Sequence, residues 1–236
     1  CAFFGGVLMV LRKFMGIFTI TLIVCSASLA MAGIPDASMC SSTRVDLGGV
    51  KAIVFIVPGS AADHPFDMAV EIGHPFPAQQ VIIDGTIEAT IRDGAGIAIA
   101  NYPAEDIWLE NPAGVNAPGD SDVYTGLVGC IGGVIADQST DVAGFTLFQN
   151  PKFGGGQSYG QTRVVVNGNG LDNTVDVSFN STDINGDGVV NLIDLQNFTA
   201  DFFDAGYHFR SDFFFDEIVN LIDLPEMAKF YGSICP

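Results

Sequence analysis

The chain has 236 residues, with 9 Lys plus Arg against 27 Asp plus Glu and a formal net charge of −18. So acidic a chain is a poor match for nucleic acid or an anionic membrane surface, which both need clustered cations. Only 15% of residues are charged, 48% are hydrophobic and 28 are glycine, which excludes a disordered polyelectrolyte and points to a β-rich, secreted protein.

From Met9 the sequence runs through Arg12 and Lys13 into an apolar stretch, Phe14 to Cys25, and ends in small residues at Ala30-Met31-Ala32. A basic n-region, an apolar h-region and an A-x-A site make an export signal, residues 1–32, with cleavage after Ala32. The competing reading is an uncleaved anchor over Phe14 to Ala32; Thr19, Thr21, Ser26 and Ser28 dilute that stretch. The remaining chain has no apolar run long enough to cross a bilayer, so a secreted or cell-surface protein with no membrane partner is expected.

Residues 40–180, within a domain expected over 33–180, lack long helical periodicity. Short β-branched or alternating runs appear at Val50 to Val57, Ile87 to Ile91, Ile107 to Leu109, Phe145 to Phe148, Arg163 to Val166 and Val175 to Phe179. Asp84-Gly85, Asp93-Gly94, Asn167-Gly168 and Gly154-Gly155-Gly156 separate them. Many short strands with frequent turns predict an antiparallel β-sandwich or barrel. The hairpin Ile87 to Ile99, turning at Asp93-Gly94-Ala95-Gly96, and the later Thr140-Asp141-Val142-Ala143-Gly144 resemble bacterial immunoglobulin-like domains of the invasin type. That resemblance implies an immunoglobulin-like sandwich serving as a spacer, adhesin or accessory module.

Export permits disulfides. Cys40, Cys130 and Cys235 follow the signal, and Cys40–Cys130, within one domain, is the favoured bond, leaving Cys235 free or open to an intermolecular partner. Glu105, Asp106 and Glu110 raise the question of a glycosidase, and Trp108 between two of them that of a polysaccharide-stacking site; a packed Trp flanked by solvated acids explains the same residues. His64-Pro65-Phe66 and His74-Pro75-Phe76, with Asp63 and Asp67, read either as a transition-metal site or as extended X-Pro segments. No hydrolase or nucleotide-binding fingerprint is present, and the protein is expected not to be an enzyme.

Chemistry concentrates in residues 181–236. Asp183, Asn185, Asp187, Asn191 and Asp194 place oxygen side chains at positions 1, 3, 5, 9 and 12 of a loop, Gly188 makes the turn at position 6, and Val189 offers its carbonyl at position 7. Such an oxygen cage suits calcium. Val190-Asn191-Leu192-Ile193-Asp194-Leu195 recurs letter for letter as Val219-Asn220-Leu221-Ile222-Asp223-Leu224, 29 residues on. Asp212, Asp216, Asn220 and Asp223 then supply the second loop, with the Ile218 carbonyl at position 7. Leu192, Leu195, Phe198 and Phe202 predict one apolar helix face, and Leu221, Leu224, Met227 and Tyr231 another.

Two loop–helix units in tandem resemble the type I dockerin, a calcium-binding module that docks its host onto cohesin domains of extracellular scaffolds. Two departures stand in the second copy: Phe214 replaces a ligand at position 3, and Glu217 replaces the turn glycine. The second site is therefore expected to be weaker, empty, or completed by Glu217 or water. The resemblance assigns partner choice to loop positions 10 and 11, here Leu192-Ile193 and Leu221-Ile222, although apolar side chains there would equally pack the helices together. The fold class expected is mainly β, an antiparallel immunoglobulin-like sandwich over 33–180 followed by a small helical module of two calcium loop–helix repeats over 181–236. The expected partner is a cohesin-like or other extracellular protein; a carbohydrate-binding accessory module is the alternative.

Overall fold

The computed structural model describes residues 33–46, 51–59, 65–71, 81–111, 117 and 119–236. The expected export signal and the two histidines His64 and His74 lie outside these residues. Gly33–Pro236 forms one compact unit. No helix among the described residues is long and apolar enough to cross a membrane.

The unit is mainly β, with two α-helices among the described residues. Strands β1 (Ser41–Arg44), β5 (Ile87–Thr90) and β8 (Phe145–Phe148) form one antiparallel sheet in the order β1-β5-β8. β6 (Ile107–Glu110), β10 (Thr162–Val166) and β11 (Asn169–Val175) form a second, ordered β11-β10-β6. A third contains β2 (Ala52–Ile56), β3 (Ala69–Glu71), β4 (Ile82–Ile83) and β12 (Val177–Ser181) in the order β12-β2-β3-β4. β7 (Val128–Gly129) and β9 (Gly154–Gly155) pair with each other. The helices are α1 (Leu192–Phe203) and α2 (Leu224–Phe230).

Two acidic turns are built alike. Asp93 Oδ1 accepts the amides of Ala95 and Ile97, and Asp141 Oδ1 those of Ala143 and Phe145. Gly96 and Gly144 close these turns at φ +77° and +75°, a left-handed conformation that costs glycine little. Thr140 ties the two motifs together: its hydroxyl donates to Ile99 O and accepts from Tyr102 N.

One pairing departs from the antiparallel expectation: β12 runs parallel to β2, Val177 opposite Ala52 through Ser181 opposite Ile56. Parallel pairing is normally found where both faces of a sheet are covered, and β2 is buried at every residue. Ala52, Val54 and Ile56 point into one apolar cluster with Ile87, Ile107, Phe148, Val164 and Phe179. Ile53, Phe55 and Val57 point the other way, into a cluster with Phe198, Phe209, Phe213, Phe215, Met227 and Phe230. The second face of this sheet is thus the floor on which residues 181–236 fold.

Candidate metal centre

β12 leads into the first loop with little slack. Asp183 is fully buried, and its two carboxylate oxygens accept the amides of Asp187 (3.1 Å) and Gly188 (2.9 Å). Asp187 Oδ1 accepts from Val189 N, and Asp194 receives Asn185 N on one oxygen and Asn191 N on the other. Asn191 caps α1 by accepting Ile193 N, and its amide group donates to Val189 O. Asn191 and Asp194 thereby form a capping box, so loop positions 9 and 12 also start the helix.

Each of these loop hydrogen bonds recurs 29 residues later. Asp212 accepts from Asp216 N (3.2 Å) and Glu217 N (2.9 Å), and Asp216 Oδ1 from Ile218 N. Asp223 accepts from Phe214 N and Asn220 N, Asn220 Oδ1 from Ile222 N, and Asn220 Nδ2 donates to Ile218 O. The backbone follows: Gly186 and Gly188 have φ +68° and +85°, and Phe215 and Glu217, their counterparts, have φ +59° and +65°. For non-glycine residues this conformation costs roughly 1–2 kcal/mol, so something else holds the second loop in it.

The acids of both loops are forced together under cover. Burial pushes Asp183 up to about 6, with Asp194 and Asp187 adding repulsion and the amides of Gly188 and Asp187 opposing it. Burial, then repulsion from Asp223, lifts Asp212 to about 7, and burial lifts Asp223 to about 6. Asp194 is raised by burial as well. Asp216 Oδ2 is buried without a hydrogen-bond partner. An all-oxygen donor set, an orphaned carboxylate oxygen and buried acids that resist ionisation together fit a hard divalent cation such as calcium. Asp183, Asn185, Asp187, Asn191, Asp194 and the Val189 carbonyl would hold it in the first loop. Asp212, Asp216, Asn220, Asp223 and the Ile218 carbonyl would do so in the second. Phe214 is half-buried and offers no side-chain ligand; Glu217 is exposed.

The loops are anchored by residues that loop spacing does not flag. A Cβ on Gly155 would lie 1.9 Å from Asp183 Oδ2, so this strand must be bare where the carboxylate sits. Gly156 N donates to Asp183 O. The Gly154–Gly156 triplet, visible in the sequence as a turn signal, is therefore a seat for the first loop. Asn180 on β12 donates to Phe209 O and Asp212 O, and the Tyr207 hydroxyl donates to Asp212 Oδ2 at 3.0 Å. Phe55 packs edge-on against Phe213 and Phe215.

The disulfide is not the expected one. Cys130 pairs with Cys235, Cα–Cα 5.4 Å, while the Cys40 thiol is buried against the backbone of Arg92. The reason is the path of the chain: after α2 it returns to the first loop beside β7 and β9, far in sequence from Cys130 but adjacent in space.

Leu192, Ile193, Leu221 and Ile222 are all exposed, so they do not pack the helices together. The buried face of α1 is Asp194, Phe198 and Asp201; that of α2 is Met227 and Phe230, preceded by Asp223. The face expected for the second helix is therefore rotated, and Leu221, Leu224 and Tyr231 lie outside. An apolar groove of about 190 Å³ runs between α1 and the second loop, lined by Leu195, Phe198, Phe202, Phe203, Leu221 and Leu224.

Trp108 is half-buried on β6 and Glu110 exposed beyond it, whereas Glu105 and Asp106 belong to a 3-10 turn. Asp120, Asp122 and His208 bring ligand atoms within 4.8 Å of one another. Their atoms are engaged, however. Asp120 Oδ2 accepts from the Tyr124 hydroxyl and Phe209 N; Asp122 Oδ2 meets His208 Nδ1 at 2.8 Å and Arg210 Nε at 3.1 Å. Burial lowers the His208 pKa, but Asp122, Asp201 and Asp204 outweigh it and raise the ring above its ordinary value. His208 and Arg210 supply the positive charge here, which makes the cluster a clamp between the two repeats and residues 120–124. Compared with known protein families, curated proteins and solved structures, the chain matches none.

Proposed function

We propose that this is a secreted, non-enzymatic calcium-binding protein whose twin loops shape an apolar docking face for a cohesin-type or other extracellular partner. The observation that carries the reading is the repetition of the loop hydrogen-bond plan 29 residues apart, complete except for the two bonds of the Asn185 side chain, which Phe214 cannot make. Backbone amides are wrapped round Asp183 and Asp212 in the same way even where Phe215 and Glu217 must adopt a glycine conformation to allow it. Calcium would relieve the repulsion among these buried acids and so stabilise the folded state. Leu192, Ile193, Leu221 and Ile222, raised on the exposed side of both repeats, are the side chains offered to the partner.

Calorimetric titration of the chelator-stripped full chain with calcium is the direct test. Binding heat and a rise in melting temperature are expected. Both should shrink in Asp183→Asn, which removes a charge while keeping a hydrogen-bond acceptor. A melting temperature indifferent to millimolar calcium, with no heat, would overturn the reading. For docking, Leu192→Asp/Leu221→Asp should abolish binding to a cohesin panel without changing calcium affinity.

A further inference from the structure

After α2 the chain closes over the first loop. Val190 N donates to Ser233 O, Gly232 N to Val190 O and Cys235 N to Gly188 O, each at 2.8 Å, and Val189 forms an antiparallel bridge with Ile234. Gly59 admits this segment: a Cβ there would lie 2.0 Å from Ile234 O, whereas one on Gly188 would meet Cys235 Sγ at an ordinary contact distance of 3.5 Å. In the other repeat, the residues equivalent to 232–235 turn elsewhere; Asp204 donates its amide to Asp201 O and meets His208 Nε2 at 3.0 Å. The covering of the first loop ends in the Cys130–Cys235 bond, which spans a sequence separation of 105 residues.

We propose that this disulfide is a redox latch on the first cation loop: closed, it holds residues 232–235 against Gly188–Val190; opened by a dithiol reductant, it frees them and weakens that site while sparing the second. The inference rests on the calcium reading above. Segment 232–235 includes the exposed Ile234 and follows the exposed Tyr231, and a short stretch with little buried apolar area opens at low cost once its tether is cut. The tether closes a long loop, the case in which a cross-link most restricts the open chain. A cleft of about 280 Å³ lined by Gly59, Cys130, Gly132, Gly133, Phe153 and Pro236 gives a small reductant access. One thiolate of the reductant attacks a protein sulfur, breaking the S–S bond and forming a mixed disulfide. Its second thiolate then displaces the protein sulfur, so that Cys130 and Cys235 gain two electrons and two protons and the reductant leaves as its own disulfide.

The test uses the full chain, oxidised and after dithiothreitol, beside the Cys130→Ser/Cys235→Ser variant. Amide hydrogen exchange without calcium and calorimetric calcium titration are read in each state. Reduction should speed exchange in 188–190 and 232–235 at least tenfold and weaken one of two calcium sites about tenfold. The double variant should match the reduced chain whether or not dithiothreitol is present. Unchanged exchange on reduction overturns the latch, as does faster exchange with an unchanged calcium isotherm. Absence of calcium heat in both redox states overturns the calcium reading and the latch's effect with it.

Discussion

The first loop reaches its turns with Gly186 and Gly188, and the second reaches the same turns with Phe215 and Glu217. Their settings differ as much as their sequences. The first is seated on the bare strand at Gly155 and covered by residues 232–235. The second is hung from the sheet by aromatic rings, Phe213 and Phe215 packing on Phe55, and Phe213 also stacks on Phe198 of α1. Burying a phenylalanine ring stabilises by about 1.5–3 kcal/mol, enough to offset a left-handed backbone at Phe215. The contrast teaches that the second repeat has Phe214, Phe215 and Glu217 where the first has Asn185, Gly186 and Gly188, and that it adheres to the sheet through its rings where the first has an oxygen side chain at positions 1, 3, 5, 9 and 12.

The strongest way to break that contrast is Gly155→Ala. Its Cβ would collide with the Asp183 carboxylate and with Asp183 Cβ, held close to the backbone and unable to yield. A loss of about 3 kcal/mol is expected, as for overpacking a tight core. Calorimetry should show one calcium site gone and the other retained. A variant with both sites and wild-type melting would mean that Asp183 is not confined as described.

Asp183→Ala and Asp212→Ala compare the loops directly. Each removes the acceptor of two backbone amides, and Asp212 loses the Tyr207 hydroxyl as well. Without calcium, Asp212→Ala is the more damaging on that count. With calcium, on the function proposed above, the order should reverse, because the loop of Asp183 has Asn185 at position 3 where that of Asp212 has Phe214. The calcium-dependent part of the stability should fall by about 2.7 kcal/mol in Asp183→Ala, the scale of a ligand near 100 times its Kd, and by less in Asp212→Ala. Thermal melts with and without calcium check this, and equal losses would abolish the ranking.

Acidity offers a third lever. An acid whose folded-state pKa lies above its unfolded value of 3.8 binds its proton more tightly when folded. In chelator, stability should therefore be greatest near pH 4 and decline as pH rises through about 6 for Asp183 and Asp223 and about 7 for Asp212. Every tenfold gain in proton affinity on folding is worth about 1.4 kcal/mol, so each of these acids contributes a decline of a few kcal/mol. Raised His208 contributes stability below its unfolded value that is lost as pH climbs through its folded one, which adds to the same decline. Asp212→Asn isolates the loop's share. Calcium, by favouring the ionised acids, should flatten the profile; a chelated protein with a flat profile contradicts the burial of these groups.

Much of this architecture is legible in the sequence. Short β-branched or alternating runs signal the strands at Ile87, Ile107 and Phe145, and spacing alone signals both loops. The parallel β2–β12 pair is not expected from turn spacing, yet the unbroken apolar run Ala52–Ile56 carries its signature: a strand apolar at every position needs cover on both faces. The rotated face of α2 escapes the periodic pattern because Leu221 and Leu224 fit a helical period as well as Met227 and Phe230 do; period alone cannot say which side meets the sheet. The pairing of Cys235 escapes it too, because pairing depends on where the chain returns, and proximity in space is not written in sequence distance.

The smallest effect tests the strain itself. Glu217 is exposed, so Glu217→Gly removes a left-handed side chain without emptying any core. It should raise stability by about 1 kcal/mol in urea titrations. Part of any gain could come from removing a negative charge beside Asp212, and Glu217→Gln, which keeps the strain and drops the charge, measures that part. The reciprocal change, Gly188→Ala, places a Cβ at ordinary distance from Cys235 and so should cost about 1 kcal/mol through its backbone alone. Phe215→Gly should not gain, since relief at its backbone is outweighed by the ring it withdraws from Phe55. If Glu217→Gly were neutral and Gly188→Ala harmless, the two loops would not share one backbone plan, and their likeness would reduce to a repeated string of letters.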